Sequence, residues 1–220
     1  MKVLFNPIYR LKVDKGKVFI FHRGGIVRAE DQHDEGFCGA IHPLYAIILS
    51  FLNGKEIDDT IESIRKFIPM DAKELFQFIT SLLDSEYSKV IQYKNYSIVF
   101  PSQLIITSDK TRDIVYNPAD FLLNVVDLSV SRPISVSKLT LMVNNICSTN
   151  CYYCYADKRK IVENKISIDR YKQIIEEAQT IGVVTIDVIG GEFFLYPHWK
   201  QLYSSLIEHN YYPLLSTKTC

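Results

Sequence analysis

The sequence predicts an α/β chain in two parts, a small α+β module followed by repeated strand–helix–strand units. Three observations carry this reading. Apolar residues recur at mixed strand and helix spacings up to about residue 100, and in regular strand–helix alternation from residue 138. Short turn signals separate the β-rich runs, as Asp14-Lys15-Gly16 does. Composition is globular, with 47% hydrophobic and 23% charged residues, and 220 residues suffice for one large domain or two small ones.

In chain order, Tyr9–Val13 and Lys17–Phe21 predict a hairpin about Lys15-Gly16, followed by a polar stretch from Arg23 to Glu35. Leu44, Ile47, Ile48, Phe51 and Leu52 repeat at helical spacing, with Asn53-Gly54 as a stop. Ile57, Ile61, Ile64 and Ile68 mark a second helix ending near Pro69. A third helix begins at Asp71, with Glu74 three residues on, and presents Leu75, Phe78, Ile79, Leu82 and Leu83 on one face. Lys89–Tyr93 and Tyr96–Phe100 then form a two-stranded wing about Lys94-Asn95. Residues 1–100 thus have a winged-helix-like outline.

Residues 101–137 read as a connector, with a helix start at Asn117-Pro118 and a break at Arg132-Pro133. Beyond it, Leu139–Val143 is a short strand. Ile168, Tyr171, Ile174, Ile175, Ala178 and Ile181 trace a helix capped by Ser167 and ended by Gly182. Val183–Ile189 has the near-continuous apolar run of a parallel strand covered on both faces. A helix about Trp199, Leu202, Tyr203 and Leu206 and a third strand at Tyr211–Leu215 complete the pattern.

Charge excludes some functions. Twenty-five basic residues balance 25 acidic ones, which gives no electrostatic pull toward nucleic acid or an anionic membrane. Asp71, Glu74, Asp84 and Glu86 surround the third helix, where a DNA reader needs a basic face. The N-terminus has no sustained apolar run, so no signal peptide or anchor is expected and the chain reads as cytoplasmic.

The chemistry concentrates at Cys147, Cys151 and Cys154, a C-x3-C-x2-C cluster directly after a strand. Clustered thiols in a reducing compartment more often bind metal than form disulfides. Structural zinc sites and electron-transfer clusters close their shell with four protein ligands, so three leave a position open. The competing reading is a zinc knuckle completed by His198, His209 or Cys220, none of which has knuckle spacing. Cys38 reads as a buried structural thiol, and His22, His33 and His42 share no ligand spacing.

This cluster, with aromatic Tyr153 before its last cysteine, resembles the radical S-adenosyl-L-methionine (SAM) superfamily. Gly190-Gly191-Glu192 after the next strand agrees with it, as does the polar strand end Ser216-Thr217-Lys218. The resemblance implies a partial (β/α) radical SAM barrel over residues 138–220. Its cysteines would hold a 4Fe-4S cluster, Gly190, Gly191 and Glu192 the amino-acid end of SAM, and Ser216 and Thr217 its ribose. Such a barrel places these elements at its C-terminal strand ends. The implied reaction is hydrogen abstraction by a 5′-deoxyadenosyl radical made from SAM, fed by an external electron donor. The pattern reaches only about half of such a barrel by Cys220, so the chain is expected to be truncated.

The first module resembles the recognition element of ribosomal peptide maturases, on the helical periodicity between Phe37 and Leu83. That implies a precursor peptide as partner, its leader adding as a strand near Gly36–Ile41 and packing on the helix Ala72–Leu83. A radical SAM peptide maturase is the function expected. The alternatives are a sulfatase-type maturase or other radical SAM oxidoreductase, and a truncated, non-catalytic leader-binding remnant.

Overall fold

The computed structural model describes residues 1–22, 38–111, 114–129, 132–154, 166–213 and 215. They fall into two compact units, the first running to Ser135 and the second beginning at Val136.

In the first unit, β2 (Tyr9–Asp14) and β3 (Lys17–His22) form the expected hairpin, and β4 (Cys38–Ile41) pairs with β3. Lys15 and Gly16 both take positive φ, the backbone of the two-residue turn that matches strand twist. The expected helices are α1 (Pro43–Phe51), α2 (Ile57–Phe67) and α3 (Ala72–Leu82). Asp71 caps α3, its side chain accepting from the amides of Lys73 and Glu74. The expected wing is β6 (Lys89–Tyr93) with β7 (Tyr96–Phe100), turned at Lys94, φ 53°. Ile47, Ile48, Leu49, Ile64, Leu75, Ile79 and Leu82 bury one face of each helix in a shared core.

A second sheet was not expected. β1 (Lys2–Phe5) pairs antiparallel with both β5 (Asn53–Glu56) and β8 (Ile105–Thr107). Asn53-Gly54 therefore stops α1 and starts a strand. Nor are residues 101–135 a loose connector, since they belong to the first unit. Leu104, Ile105 and Phe121 enter its core, and Asn117 caps a single 3-10 turn at Pro118–Phe121. The stretch after it straps the hairpin: Asp127 donates its amide to the Gly16 carbonyl (2.9 Å), and Asp14 Oδ2 accepts from the Ile134 amide (2.5 Å).

In the second unit, β9 (Lys138–Met142) and β10 (Thr185–Ile189) run parallel, with Lys138 opposite Thr185 and Met142 opposite Ile189. The crossover carries α4 (Ile168–Thr180), whose first turn is capped by Ser167. At its end Gly182 and Val183 donate to the carbonyls of Gln179 and Ala178, a Schellman closure. After β10 come a 3-10 turn at Phe193–Leu195 and α5 (Trp199–Glu208). Leu141, Val143, Ile186 and Val188 bury one sheet face with Tyr171, Ile175, Leu202 and Leu206.

Two expectations differ here. β10 is not covered on both faces among the described residues, for Thr185, Asp187 and Ile189 stay partly exposed. On that face Lys138 pairs with Asp187 at 2.5 Å. Nor do the described residues of Tyr211–Leu215 form a third strand. The Tyr211 amide is spent on the Leu206 carbonyl at the end of α5 (2.8 Å), and Pro213 has no amide to give. The Tyr211 hydroxyl donates to the Val183 carbonyl (2.9 Å), and burial pushes its pKa up to about 12.

Candidate functional site

The site begins where β9 ends. Val143 donates to the Ile189 carbonyl (3.1 Å), extending the parallel ladder to the last residue of β10. Past that point the two strand exits turn toward each other. Gly191 donates to the Asn144 carbonyl (2.9 Å) and Glu192 to the Ile146 carbonyl (2.7 Å).

Glycine is required here by space. A Cβ on Gly190 would lie 2.6 Å from the Asn144 carbonyl oxygen, and one on Gly191 2.1 Å from that of Ile146. The neighbours are backbone, so neither overlap is relieved by a side chain swinging away. Asn144 completes the joint. Its Oδ1 accepts from the Ile146 amide (3.1 Å) and its Nδ2 donates to the Glu192 carbonyl (3.2 Å). Sequence reading missed Asn144; its signal was an Asn at a strand exit two residues before an amide it can hold.

Glu192 is 1% exposed, and its Oε1 accepts from the Phe194 amide (3.3 Å). The carboxylate thus starts the 3-10 turn that follows, a duty the expectation of an ammonium contact did not include.

The loop carries the cysteines next. Cys147, Cys151 and Cys154 are all partly exposed, and none is in a disulfide. Cys154 donates its amide to the Cys151 carbonyl (3.2 Å), which closes the turn over Tyr152-Tyr153. Those two rings stand edge to face at 5.1 Å, with Tyr153 64% exposed. Thr149 lies between two of the thiols, its Oγ1 3.3 Å from Cys147 Sγ and 3.4 Å from Cys151 Sγ. Among the described residues no three His, Cys, Asp or Glu side chains converge on one point. The structure therefore joins Cys147 and Cys151 through Thr149 and docks their loop on Gly190 to Glu192. Ser216, Thr217, Lys218 and Cys220 lie outside the described residues, as do Gly36 and Phe37 at the start of the expected leader-binding edge.

In the first unit, β4 is an end strand, and among the described residues nothing pairs with its outer edge. Phe76 on α3 is 43% exposed. Tyr45, Phe78 and Phe100 form an aromatic group, with Tyr45 and Phe78 stacked at 5.1 Å. His42 is the N-cap of α1, its Nδ1 accepting from the Leu44 amide (3.1 Å). Burial, and then the Lys94 charge, hold the His42 pKa below the usual imidazole range. Among the described residues no helix is long and apolar enough to cross a membrane.

Comparison with known proteins follows the same division. The family model described as the Radical SAM superfamily matches residues 141–218. No curated protein matches the chain. Crystal structures of SuiB from Streptococcus suis do align with it. SuiB bound to the precursor peptide SuiA has 14% identity and a TM-score of 0.52, over 98% of this chain and 42% of that one. SuiB bound to S-adenosylmethionine has 12% identity and a TM-score of 0.52 over the same shares. SuiB alone has 14% identity and a TM-score of 0.53, over 97% of this chain and 41% of that one. At such identity the likeness is one of fold, and the chain spans about two fifths of the length of the structures it matches. Residues 141–218, which include the three cysteines and Gly190 to Glu192, are thus the part of the chain that matches the radical SAM superfamily.

Proposed function

We propose that this chain is a radical SAM peptide maturase. Cys147, Cys151 and Cys154 hold a 4Fe-4S cluster, Gly190, Gly191 and Glu192 meet the amino-acid end of SAM, and the first unit binds a ribosomal precursor peptide. The observation that carries the reading is the docking of the cysteine loop on Gly190 and Gly191 at the C-terminal ends of two parallel strands. Parallel α/β sheets place their ligands at that end of the strands.

The donor set fits the cofactor. Three partly exposed thiols on one loop are soft sulfur ligands suited to iron–sulfur binding. A three-thiol set leaves one iron for a non-protein ligand. When bound, cluster and SAM together supply one-electron chemistry that abstracts hydrogen from a substrate.

The chain's own residues orient and shield. Asn144 and the two glycines fix the cysteine loop against the second strand exit. Glu192 orders the turn that leads into α5. Ser216 and Thr217 are given the ribose on the strength of their motif alone. An external donor supplies the electron.

For the partner, the outer edge of β4, unpaired among the described residues, offers main-chain donors and acceptors to an added strand, and Phe76 offers an apolar anchor on α3. The neighbour SuiB is a protein whose crystal structure holds a precursor peptide. The winged-helix-like outline of the first unit and the partial barrel of the second are part of this proposal.

Two titrations test it. The reconstituted chain is expected to bind SAM saturably, and Gly191→Ala to abolish that binding. A labelled peptide from a short reading frame beside the gene is expected to bind saturably and to lose affinity in Phe76→Ala. SAM binding equal in Gly191→Ala and wild type would count against the site, and peptide binding without saturation against the maturase reading.

A further inference from the structure

The cysteine loop contains one side chain that the proposed function does not use. Thr149 is partly buried and sits midway between Cys147 and Cys151 in sequence, with its hydroxyl within hydrogen-bonding distance of both sulfurs, at 3.3 and 3.4 Å. Alternate residues of the loop thus converge on one oxygen. A β-branched side chain has few χ1 choices, so threonine holds that oxygen in place better than serine would.

Chemistry fixes the direction of these bonds. Between a hydroxyl and a thiol either group can donate. A metal-bound cysteine has lost its proton and its sulfur can only accept. Once Cys147 and Cys151 are ligands, the hydrogen in each of these two contacts comes from Thr149. Its hydroxyl then donates to the two sulfurs in turn, or to both in a shared bond.

We infer that Thr149 is a positioning residue that raises the reduction potential of the cluster held by Cys147 and Cys151, through its hydroxyl hydrogen. The inference rests on the cluster reading above. Donors to ligand sulfur stabilise the more negative redox state more than the less negative one, which moves the potential upward. In a redox titration one electron per cluster comes from the external reductant. No proton moves, because the hydroxyl keeps its hydrogen in both states.

The test compares midpoint potentials of the reconstituted full chain. Thr149→Val keeps the shape and removes the hydroxyl, and Thr149→Ser keeps the hydroxyl. Thr149→Val is expected to make reduction about threefold to tenfold less favourable. At 59 mV per tenfold for one electron, its potential falls by about 30 to 60 mV. Thr149→Ser is expected to stay near wild type. If the valine variant takes up no cluster, Thr149→Ala is read in its place.

A second readout uses the wild-type chain itself. The reduced cluster is expected to show a proton hyperfine coupling that vanishes in deuterium oxide and is missing from the valine or alanine variant. Equal potentials in clustered wild type and hydroxyl-free variant, or no exchangeable coupling in wild type, would overturn the role of Thr149 alone. Failure of wild type to take up any cluster would overturn the parent reading as well.

Discussion

Both faces of the β2–β3 hairpin in the first unit are buried, whereas the β9–β10 sheet of the second is buried on one face only among the described residues. In the hairpin even Arg10, Lys12, Asp14 and Lys17 are buried, at 7%, 7%, 4% and 1% exposed. Of these, Arg10 donates to the Pro7 carbonyl (2.9 Å) and Lys17 to that of Asp127 (3.3 Å). In the second unit Met142 is 48% exposed on the face away from α4 and α5, the face that also carries the Lys138–Asp187 pair. The two units also secure their loops differently. The first anchors its strap through the Asp14 and Lys17 side chains beside one backbone bond from Asp127 to Gly16, and the second holds the cysteine loop largely by backbone against backbone at Gly190 and Gly191.

That contrast sets the order of expected effects. The largest is from one methyl group. Gly191→Ala puts a Cβ 2.1 Å from the Ile146 carbonyl, so the strand exits must part, at a cost of about 4 kcal/mol or more within the second unit. Hydrogen exchange reads it directly, through lost protection at residues 191 and 192 with the amides of α1 to α3 unchanged. Retained protection at 191 and 192 would break the contrast.

Side-chain truncation should rank next, in the first unit. Ile79 is fully buried on α3 and touches the shared core, so Ile79→Ala is expected to cost about 3 kcal/mol in denaturant unfolding. A loss below about 1 kcal/mol would mean that this core closes over the gap.

Asn144→Ala comes third. It removes the acceptor for the Ile146 amide and the donor to the Glu192 carbonyl, worth about 1 to 3 kcal/mol where such groups stay buried. Its signature is faster exchange at residue 146 while Gly191 keeps its bond to the backbone carbonyl of residue 144. Uniform loosening of the whole second unit would instead mark Asn144 as a general core residue.

The smallest effect is a pH dependence confined to the first unit. His42 caps α1 through an unprotonated Nδ1, and burial, then the Lys94 charge, hold its folded pKa below the usual imidazole range. A histidine depressed in the fold contributes stability that is present above the unfolded pKa. That stability is lost as pH falls through the folded value. Unfolding midpoints of the wild type should therefore fall on acidification from neutral pH, and His42→Asn should flatten the slope while keeping a cap. An unchanged slope in that variant would remove His42 as the source.

Much of the first unit was legible because its signals are local. Lys15-Gly16 and Lys94-Asn95 are two-residue turns, with positive φ at Lys15, Gly16 and Lys94, and α1 to α3 repeat apolar residues every three or four positions. β1, β5 and β8 were not legible, because strands of three or four residues carry no period and their pairing joins the N-terminus to residues 53–56 and 105–107. In the second unit the cysteine motif and Gly190-Gly191 stood out by residue type. What spacing did not tell was how they meet: the glycines are needed for the approach of Asn144 and Ile146, and Glu192 turns inward to cap Phe194. That the described residues of Tyr211–Leu215 form no strand has a similar cause. Tyr211 looks like strand in sequence, but its amide closes α5.

The central claim is that Cys147, Cys151 and Cys154 hold an iron–sulfur cluster that SAM reaches. Anaerobic reconstitution of the full chain with iron and sulfide, followed by electron paramagnetic resonance of the reduced protein with and without SAM, tests it most directly. The expected result is about four iron and four sulfide per chain and a reduced-cluster signal that changes shape when SAM is added. A colourless protein that instead retains zinc on the same three cysteines would contradict it.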